Sequence, residues 1–307
     1  MAELNDYSGP FNPSIQYEDF SKEMMVKLLK EYQRAYLIVL GEWHRVMRER
    51  FDEITTQECD ISQWMLSGPL VSHFLSRALN IKVGDVESCF KALQLDPGFP
   101  MKLFDIEWEL VNPNHGFITV NKCTALSQNE KAGTGYELPM CHVEEPPTFL
   151  KTALYHNPNM KFKPVKLPPR KNPDDIACKW EARIEPETGT DMQKTAGSLR
   201  FGIPVENGGF GQPWTEDNVI GLWGLLHHDT KEVLRIIARQ PEGCSKDALV
   251  NGLGVDIEEI SHSLGLMYIT LFDSPWRAKQ APVRLCKDTW SYEMDIEFSQ
   301  VVNRLPK

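Results

Sequence analysis

The stretch ELPMCHVEEPP, residues 137–147, places a thiol, an imidazole and three carboxylates within nine residues. Two kinds of chemistry fit these side chains. Thiolate, imidazole and carboxylate groups are good ligands for zinc or iron. A histidine or a glutamate beside a cysteine can also transfer protons as a general acid or base. We therefore take His142 and Glu145 as candidate catalytic residues, and Glu137 and Cys141 as candidate metal ligands.

Two distant cysteines complete the candidate metal site. The pattern predicts Cys123 late on one strand, Cys141 at the end of the next extended segment, and Cys178 on a later strand. Neighbouring strands of one sheet could bring the three thiols together, around zinc or iron. The alternative is that they are buried thiols, because free cysteine often acts as a small hydrophobic residue and no pair has C-x-x-C spacing. The residues alone leave both possibilities open.

The local geometry of the same stretch argues against a simple Cys–His pair. In an extended segment, side chains alternate between faces, so Cys141 and His142 would point in opposite directions. Two prolines follow Glu144 and Glu145, and prolines suit the first turn of a helix. The two glutamates could therefore begin a helix, where the helix dipole favours negative charge.

Hydrophobic periodicity predicts the elements that must position these residues. Steps of three and four residues indicate a long helix over 21–51, followed by helices near 61–79 and 83–95. Period-two alternation then predicts a hairpin over 102–126, with a loop at 129–135. His44 lies at the edge of the apolar stripe of the long helix, where we expect a half-buried side chain with satisfied hydrogen bonds.

The order of these elements predicts an α+β fold, in which a helical N-terminal layer packs on a mainly antiparallel sheet. A winged-helix-like C-terminal module is expected to follow. The predicted units are an extended arm (1–20), an α+β domain for a small molecule or metal (21–187), a linker (188–220) and the winged-helix-like module (221–307).

Composition limits the classes of partner. The 307 residues carry a formal net charge of −10, which disfavours binding to nucleic acid or to anionic membranes. The helix of this module that would correspond to a DNA recognition helix begins with Asp256, Glu258 and Glu259, whose carboxylates would face the DNA phosphates. We therefore expect a structural or dimerising role, with a homodimer as one possibility. No signal peptide is visible, and the longest apolar run, 35–41, is too short to span a membrane. We therefore expect a soluble cytoplasmic protein with reduced cysteines.

A family resemblance adds to this interpretation. The segments VNKCTAL, GYELPMC and ACKWEARIE follow one another in an order that resembles uncharacterised bacterial proteins near the L-2-amino-thiazoline-4-carboxylic acid hydrolase-like family. They are also distantly similar to the 4-vinyl reductase type of ligand-binding domain, in which a glutamate and cysteines can hold zinc. The resemblance covers about residues 22–187 and nominates Cys123, Glu137, Cys141 and Cys178 as ligands. The wide separation of Cys141 and Cys178 departs from that pattern.

These observations predict a hydrolase-like enzyme acting on a small nitrogen- or carbonyl-containing organic substrate. The cysteine cluster would supply a metal-activated water or a thiolate nucleophile, with His142 or Glu145 moving the proton. The alternative is a non-enzymatic sensor of a small molecule or of redox state, joined to a structural helix-turn-helix remnant.

Overall fold

The structure is a computed structural model that describes residues 3–100, 103–185, 211–277 and 279–306. Most of the predicted linker, 188–220, lies outside the described residues. Within the predicted arm, Leu4 forms a bridge to Phe20, and a short 3-10 turn, Tyr17–Asp19, precedes the first helix.

Three helices form the N-terminal layer: α1 (Lys22–Arg50), α2 (Glu53–Ala78) and α3 (Val86–Leu93). Ser21 caps α1 and Asp52 caps α2, each accepting a hydrogen bond from a backbone amide three residues later. The long first helix is confirmed. The second begins at Glu53 rather than near residue 61, and this difference adds a polar turn to α2 that becomes important for the candidate site.

Four strands form one antiparallel sheet: β1 (Phe104–Asn112), β2 (His115–Cys123), β3 (Met160–Lys166) and β4 (Cys178–Ile184). Their order is β1-β2-β4-β3, so β2 and β4 are neighbours. In their register Val120 pairs with Cys178, which places Cys178 at the same end of the sheet as Cys123. The predicted hairpin, and with it the α+β class with antiparallel strands, is confirmed.

Between β2 and β3 the chain is helical, which corrects two predictions. Residues 124–132 form α4 (Thr124–Ala132), where a loop was expected from residue 129; Gly133 ends this helix in the left-handed conformation. Cys141 does not end an extended segment. It lies in a π-helix, Met140–Glu144, which joins the short turn α5 (Glu137–Pro139) to α6 (Glu145–His156). Glu145 does lie in the first turn of a helix, as one alternative predicted.

Within residues 211–277 and 279–306, the structure describes five helices and three short strands. The helices are α7 (Glu216–Leu225), α8 (His228–Ala238), α9 (Lys246–Leu253), α10 (Ile257–Asp273) and α11 (Ile296–Val302). The strands are β5 (Cys244–Ser245), β6 (Val283–Cys286) and β7 (Ser291–Met294), in the order β5-β7-β6. The beginning of α7 falls within the segment predicted as a linker.

One hydrophobic core runs through both parts of the chain, from Ile61 in α2 to Val302 in α11. Helix α10 packs on α6 and β3, and it can approach α6 closely because Gly265 has no side chain. A Cβ atom at Gly265 would lie 3.0 Å from Cβ of Pro146. Among the described residues, no helix combines the length and apolar character needed to span a bilayer.

Candidate functional site

The three predicted thiols do converge. Cys123, Cys178 and Glu145 all lie close enough to Cys141 to act electrostatically on its thiol. Two of the sulfur atoms have structural partners. The backbone amide of Leu126 donates to Sγ of Cys123 over 3.3 Å, and the indole N–H of Trp180 donates to Sγ of Cys178 over 3.2 Å. Cys123 thus caps α4, and Cys178 satisfies a buried tryptophan.

The predicted metal-binding character is contradicted. Within the described parts of the chain, no group of three or more His, Cys, Asp or Glu side chains is arranged so that it could hold a metal ion. The four nominated ligands, Cys123, Glu137, Cys141 and Cys178, therefore do not form a zinc or iron site in this structure. Glu137 begins α5, and its buried Oε2 atom has no hydrogen-bond partner among the residues that the structure describes. The metal-activated water of the predicted hydrolase loses its structural basis with this correction.

The thiolate alternative meets a different obstacle. Burial raises the pKa of Cys141 well above the ordinary value for a thiol, and the neighbouring Cys178 and Glu145 raise it further. Burial also raises the pKa of Cys123 and of Cys178. Because the thiolate is the reactive form, these sulfurs are poor nucleophiles near neutral pH.

His142 faces away from the thiols and towards the C-terminal part. Its Nε2–H donates to the carbonyl oxygen of Pro168 over 2.7 Å, and Nδ1 lies 2.9 Å from the hydroxyl oxygen of Ser261 in α10. The imidazole is fully buried, and burial lowers its pKa to about 4. His142 therefore lies at the contact between the π-helix and α10, with both ring nitrogens engaged.

A second polar cluster lies on the other side of the π-helix, where α1 and α2 meet it. Nδ1 of His44 on α1 contacts Oδ2 of Asp60 on α2. The imidazole is 25% exposed and the carboxylate 12% exposed, so the pair lies at the edge of the interior. The hydrogen bond to Asp60 raises the pKa of His44, although partial burial opposes the shift. The expected half-buried histidine has a specific acidic partner.

Glu144 points into the same cluster. The hydroxyl of Tyr136 donates to Oε1 of Glu144 over 2.8 Å, and the Tyr136 ring lies 5.8 Å from the imidazole ring of His44. The guanidinium of Arg48, one helical turn after His44, lies 5.3 Å from the centre of the Tyr136 ring. We call His44, Asp60, Tyr136 and Glu144 the acid–base cluster.

The acid–base cluster has the electrostatics of a proton-transfer site. Burial raises the pKa of Glu144 to about 7, and the charge of Asp60 adds to the shift. The hydrogen bond from Tyr136 and the proximity of His44 oppose it. A carboxyl group that titrates near neutral pH, within a partly exposed cluster, is the kind of group that active sites use as a general acid or base.

The π-helix explains how one short segment serves both sides. The amide of Glu145 donates to the carbonyl of Met140, five residues earlier, instead of four as in an α-helix. π-Helical turns are rare and occur frequently at functional sites. In this chain the π-helical turn directs His142 towards α10 and Glu144 towards the acid–base cluster. Cys141 and the following Glu145 lie near Cys123 and Cys178.

The sequence prediction missed Asp60 and Tyr136. It weighed Glu144 both as a general acid or base beside Cys141 and as a residue at the start of a helix. A usable signal was present in TTQECD, residues 55–60. Thr56, Gln57 and Asp60 follow helical spacing and are all buried. Buried polar side chains at such spacing on a helix need partners, and Asp60 finds one on α1.

Comparisons with protein families, with curated proteins and with solved structures find no match to this chain. The resemblance to the hydrolase-like and 4-vinyl reductase families therefore stays a prediction. The geometry of the acid–base cluster is what bears on function.

Proposed function

We propose that this protein is an enzyme that transfers a proton to or from a small organic substrate, and that the acid–base cluster is its active site. The observation that supports this proposal is the hydrogen bond from Tyr136 to Glu144 beside the His44–Asp60 pair, which is only partly exposed. The buried carboxyl of Glu144 and the partly exposed imidazole of His44 thus lie in one cluster but in different environments. Such pairs are typical of acid–base catalysis.

Each side chain has a role in this proposal. Glu144 takes a proton from the substrate as the base, or returns it as the acid, because its pKa of about 7 leaves both forms populated near neutral pH. Tyr136 orients the carboxylate through its hydrogen bond. His44, held by Asp60, exchanges the proton with solvent because its imidazole is partly exposed.

The buried thiols support a structural role in preference to a redox sensor. Reactive cysteines have a lowered thiol pKa and are accessible, whereas burial raises the pKa of Cys141 and Cys178. The proposal therefore places the chemistry at Glu144 and gives the thiols the task of filling the space under the π-helix.

The C-terminal part is proposed to be a winged-helix-like module with a structural role. The order α8-β5-α9-α10-β6-β7, with the sheet order β5-β7-β6, supports this assignment. Helix α10 holds the position of a reading helix, but Glu258 and Glu259 at its start bind the amide of Leu167 and the amine of Lys163. A helix covered in this way supports the prediction that nucleic acid is not a partner. The homodimer and the cytoplasmic location stay predictions.

The proposal is tested by following deuterium uptake from D2O into small ketones, keto acids and dicarboxylates by NMR. We expect the wild-type protein to catalyse exchange at a C–H bond of at least one compound, and the Glu144→Gln variant to lose at least a hundredfold in rate, since general acid–base groups contribute roughly 10²–10⁴-fold. Glu58→Gln is the control, because Glu58 is also a buried carboxyl with its pKa raised to about 8, but it accepts its hydrogen bond from the amide of Ala281 and not from Tyr136. Equal rates in wild type and Glu144→Gln, or no exchange with any compound, would contradict the proposal.

A further inference from the structure

Arg48 and Arg45 lie close together on α1 but differ in their ion pairing. Arg45 forms ion pairs with both Glu42 and Glu49, at 2.7 and 2.5 Å. Arg48 is exposed and, among the described residues, has no carboxylate within ion-pairing distance. A guanidinium has five N–H donors in a planar fork that fits a carboxylate, and in Arg48 this fork is available to a ligand.

The position of Arg48 links it to the acid–base cluster. It follows His44 by four residues on α1, so the two side chains lie on the same face of the helix. The guanidinium lies 5.3 Å from the centre of the Tyr136 ring, and the hydroxyl of that ring holds Glu144. The charge of Arg48 also acts on His44. Arg48 therefore stands at the solvent side of the cluster, across the tyrosine ring from the reacting carboxyl.

The charges around Arg48 select among anions. The single guanidinium balances one unit of negative charge, and the acidic Asp60 and Glu144 near the Tyr136 ring would repel the second charge of a phosphate, so a singly charged carboxylate fits better. A carboxylate also matches the guanidinium in a two-point contact. With its anionic end on Arg48, a small substrate would extend past the ring towards Glu144.

We propose that Arg48 is a binding residue for the carboxylate group of the substrate, so that the enzyme acts on small organic carboxylates. This inference rests on the proposed function, because it assigns the substrate class of the same site. Arg48 holds the anionic end, and Glu144 exchanges a proton with the other part of the molecule. No bond of the substrate changes at Arg48.

Benzoate and its neutral isostere benzamide provide a test that does not depend on turnover. The dissociation constant of each is measured by NMR chemical-shift titration of the full-length wild type and of two variants, Arg48→Met and Arg45→Met. We expect benzoate to bind the wild type more tightly than benzamide, and its affinity to fall at least tenfold in Arg48→Met. Benzamide binding should change less than twofold in that variant, and Arg45→Met should bind both compounds as the wild type does.

Three results would overturn the assignment. They are an absence of benzoate binding to the wild type, equal affinity for benzoate in wild type and Arg48→Met, and an equal loss of affinity in Arg45→Met. These results are separate from the deuterium exchange experiment. If the exchange rate depends on Glu144 but the affinity for benzoate does not depend on Arg48, the enzyme acts on a different class of substrate. If the affinity for benzoate depends on Arg48 but no deuterium exchange occurs, the site binds carboxylates and the proposed reaction is wrong.

Discussion

His142 and Glu144 lie two residues apart in one π-helix, yet their environments and the shifts of their pKa values differ. His142 is fully buried and has a partner at each ring nitrogen, and burial lowers its pKa to about 4. Glu144 is almost as buried but lies at the edge of a partly exposed cluster, and its pKa is raised to about 7. One side of the helix is therefore fixed as a neutral structural contact, and the other keeps a group that can exchange a proton near neutral pH.

The difference extends to the elements around each residue. On the His142 side, α10 packs on α6 and the two helices share a buried ion pair, Lys151–Asp273, at 2.5 Å with side-chain exposures of 3% and 1%. On the Glu144 side, the partners come from α1 and α2, and His44 and Arg48 are open to solvent. The proposed active site therefore combines a buried, fixed contact on one side with partly exposed side chains on the other.

The largest expected effect comes from breaking the rigid side at its ion pair. Lys151→Met removes the amine that pairs with the buried carboxylate of Asp273, and breaking this buried ion pair is expected to lower the free energy of unfolding by about 3 kcal/mol. Urea denaturation at pH 7 measures the change. Replacing both residues, Lys151→Met with Asp273→Leu, should recover most of the loss.

The matched control for this pair is exposed. Lys27 and Glu23 lie 3.1 Å apart on α1, with side-chain exposures of 59% and 79%. Lys27→Met should change the free energy of unfolding by less than about 0.5 kcal/mol. A similar change in the free energy of unfolding in both lysine variants would contradict the distinction between the buried and the exposed ion pair.

Exchanging single side chains within the π-helix should separate stability from proton transfer. His142→Phe leaves the carbonyl of Pro168 buried without its donor, so we expect a loss of about 1–3 kcal/mol in the free energy of unfolding. Glu144→Gln keeps the shape of the protonated side chain and removes a carboxyl whose pKa is raised on folding, so its stability at pH 6 should equal or exceed that of the wild type. Denaturation and deuterium exchange on both variants check this. The account fails if Glu144→Gln is the more destabilised or if His142→Phe alone loses exchange.

The pH dependence of stability should carry the signature of the buried carboxyls. Burial raises the pKa of Glu58, Glu144 and Glu145 to about 8, 7 and 8, so the folded state binds these protons more tightly than the unfolded chain. Their contribution is complete below the unfolded pKa and is lost as the pH rises through 7–8. Burial lowers the pKa of His142 and of His156 to about 4 each, so these two groups make stability rise with pH. This rise ends at about pH 6.5, the ordinary pKa of histidine, above which both states are neutral.

We therefore expect the free energy of unfolding to fall between about pH 6.5 and 8. The expected slope is roughly 1 kcal/mol per pH unit for each carboxyl that is still protonated in the folded state and already ionised in the unfolded chain. Urea titrations at half-unit steps measure the slope. Glu144→Gln should reduce the slope and be more stable than the wild type at pH 8. A wild-type stability that is constant or rises across this range would show that the buried carboxyls ionise at ordinary pH.

Local patterns in the sequence predicted much of the fold. The apolar stripe of α1 and the alternation in β1 each repeat over enough residues to define a period, and both elements are confirmed. The π-helix was missed because five residues, Met140–Glu144, are too few to distinguish a helical period from an alternating one. The end of α4 was missed because Gly133, which stops the helix, was grouped with the charged residues before it.

The candidate site was predicted only where strand pairing decided it. Cys123 and Cys178 approach each other because β2 and β4 are neighbours, which a strand pattern can suggest. His44, Asp60 and Glu144 come together through the packing of three helices, and no spacing along the chain records that contact. The ordinary expectation for His44, a satisfied half-buried side chain, was correct in geometry but did not identify its partner.

The central claim, that Glu144 exchanges its proton near neutral pH while its neighbours in the π-helix do not, is tested most directly by NMR. Protein labelled with ¹³C at the glutamate carboxyl carbons is titrated from pH 4 to 9, and the Glu144 signal is assigned by its loss in Glu144→Gln. We expect a titration midpoint near pH 7. This midpoint should shift in His44→Gln, because the imidazole of His44 acts on this carboxyl in the wild type. A midpoint below about pH 5, the ordinary range for glutamate, would contradict it.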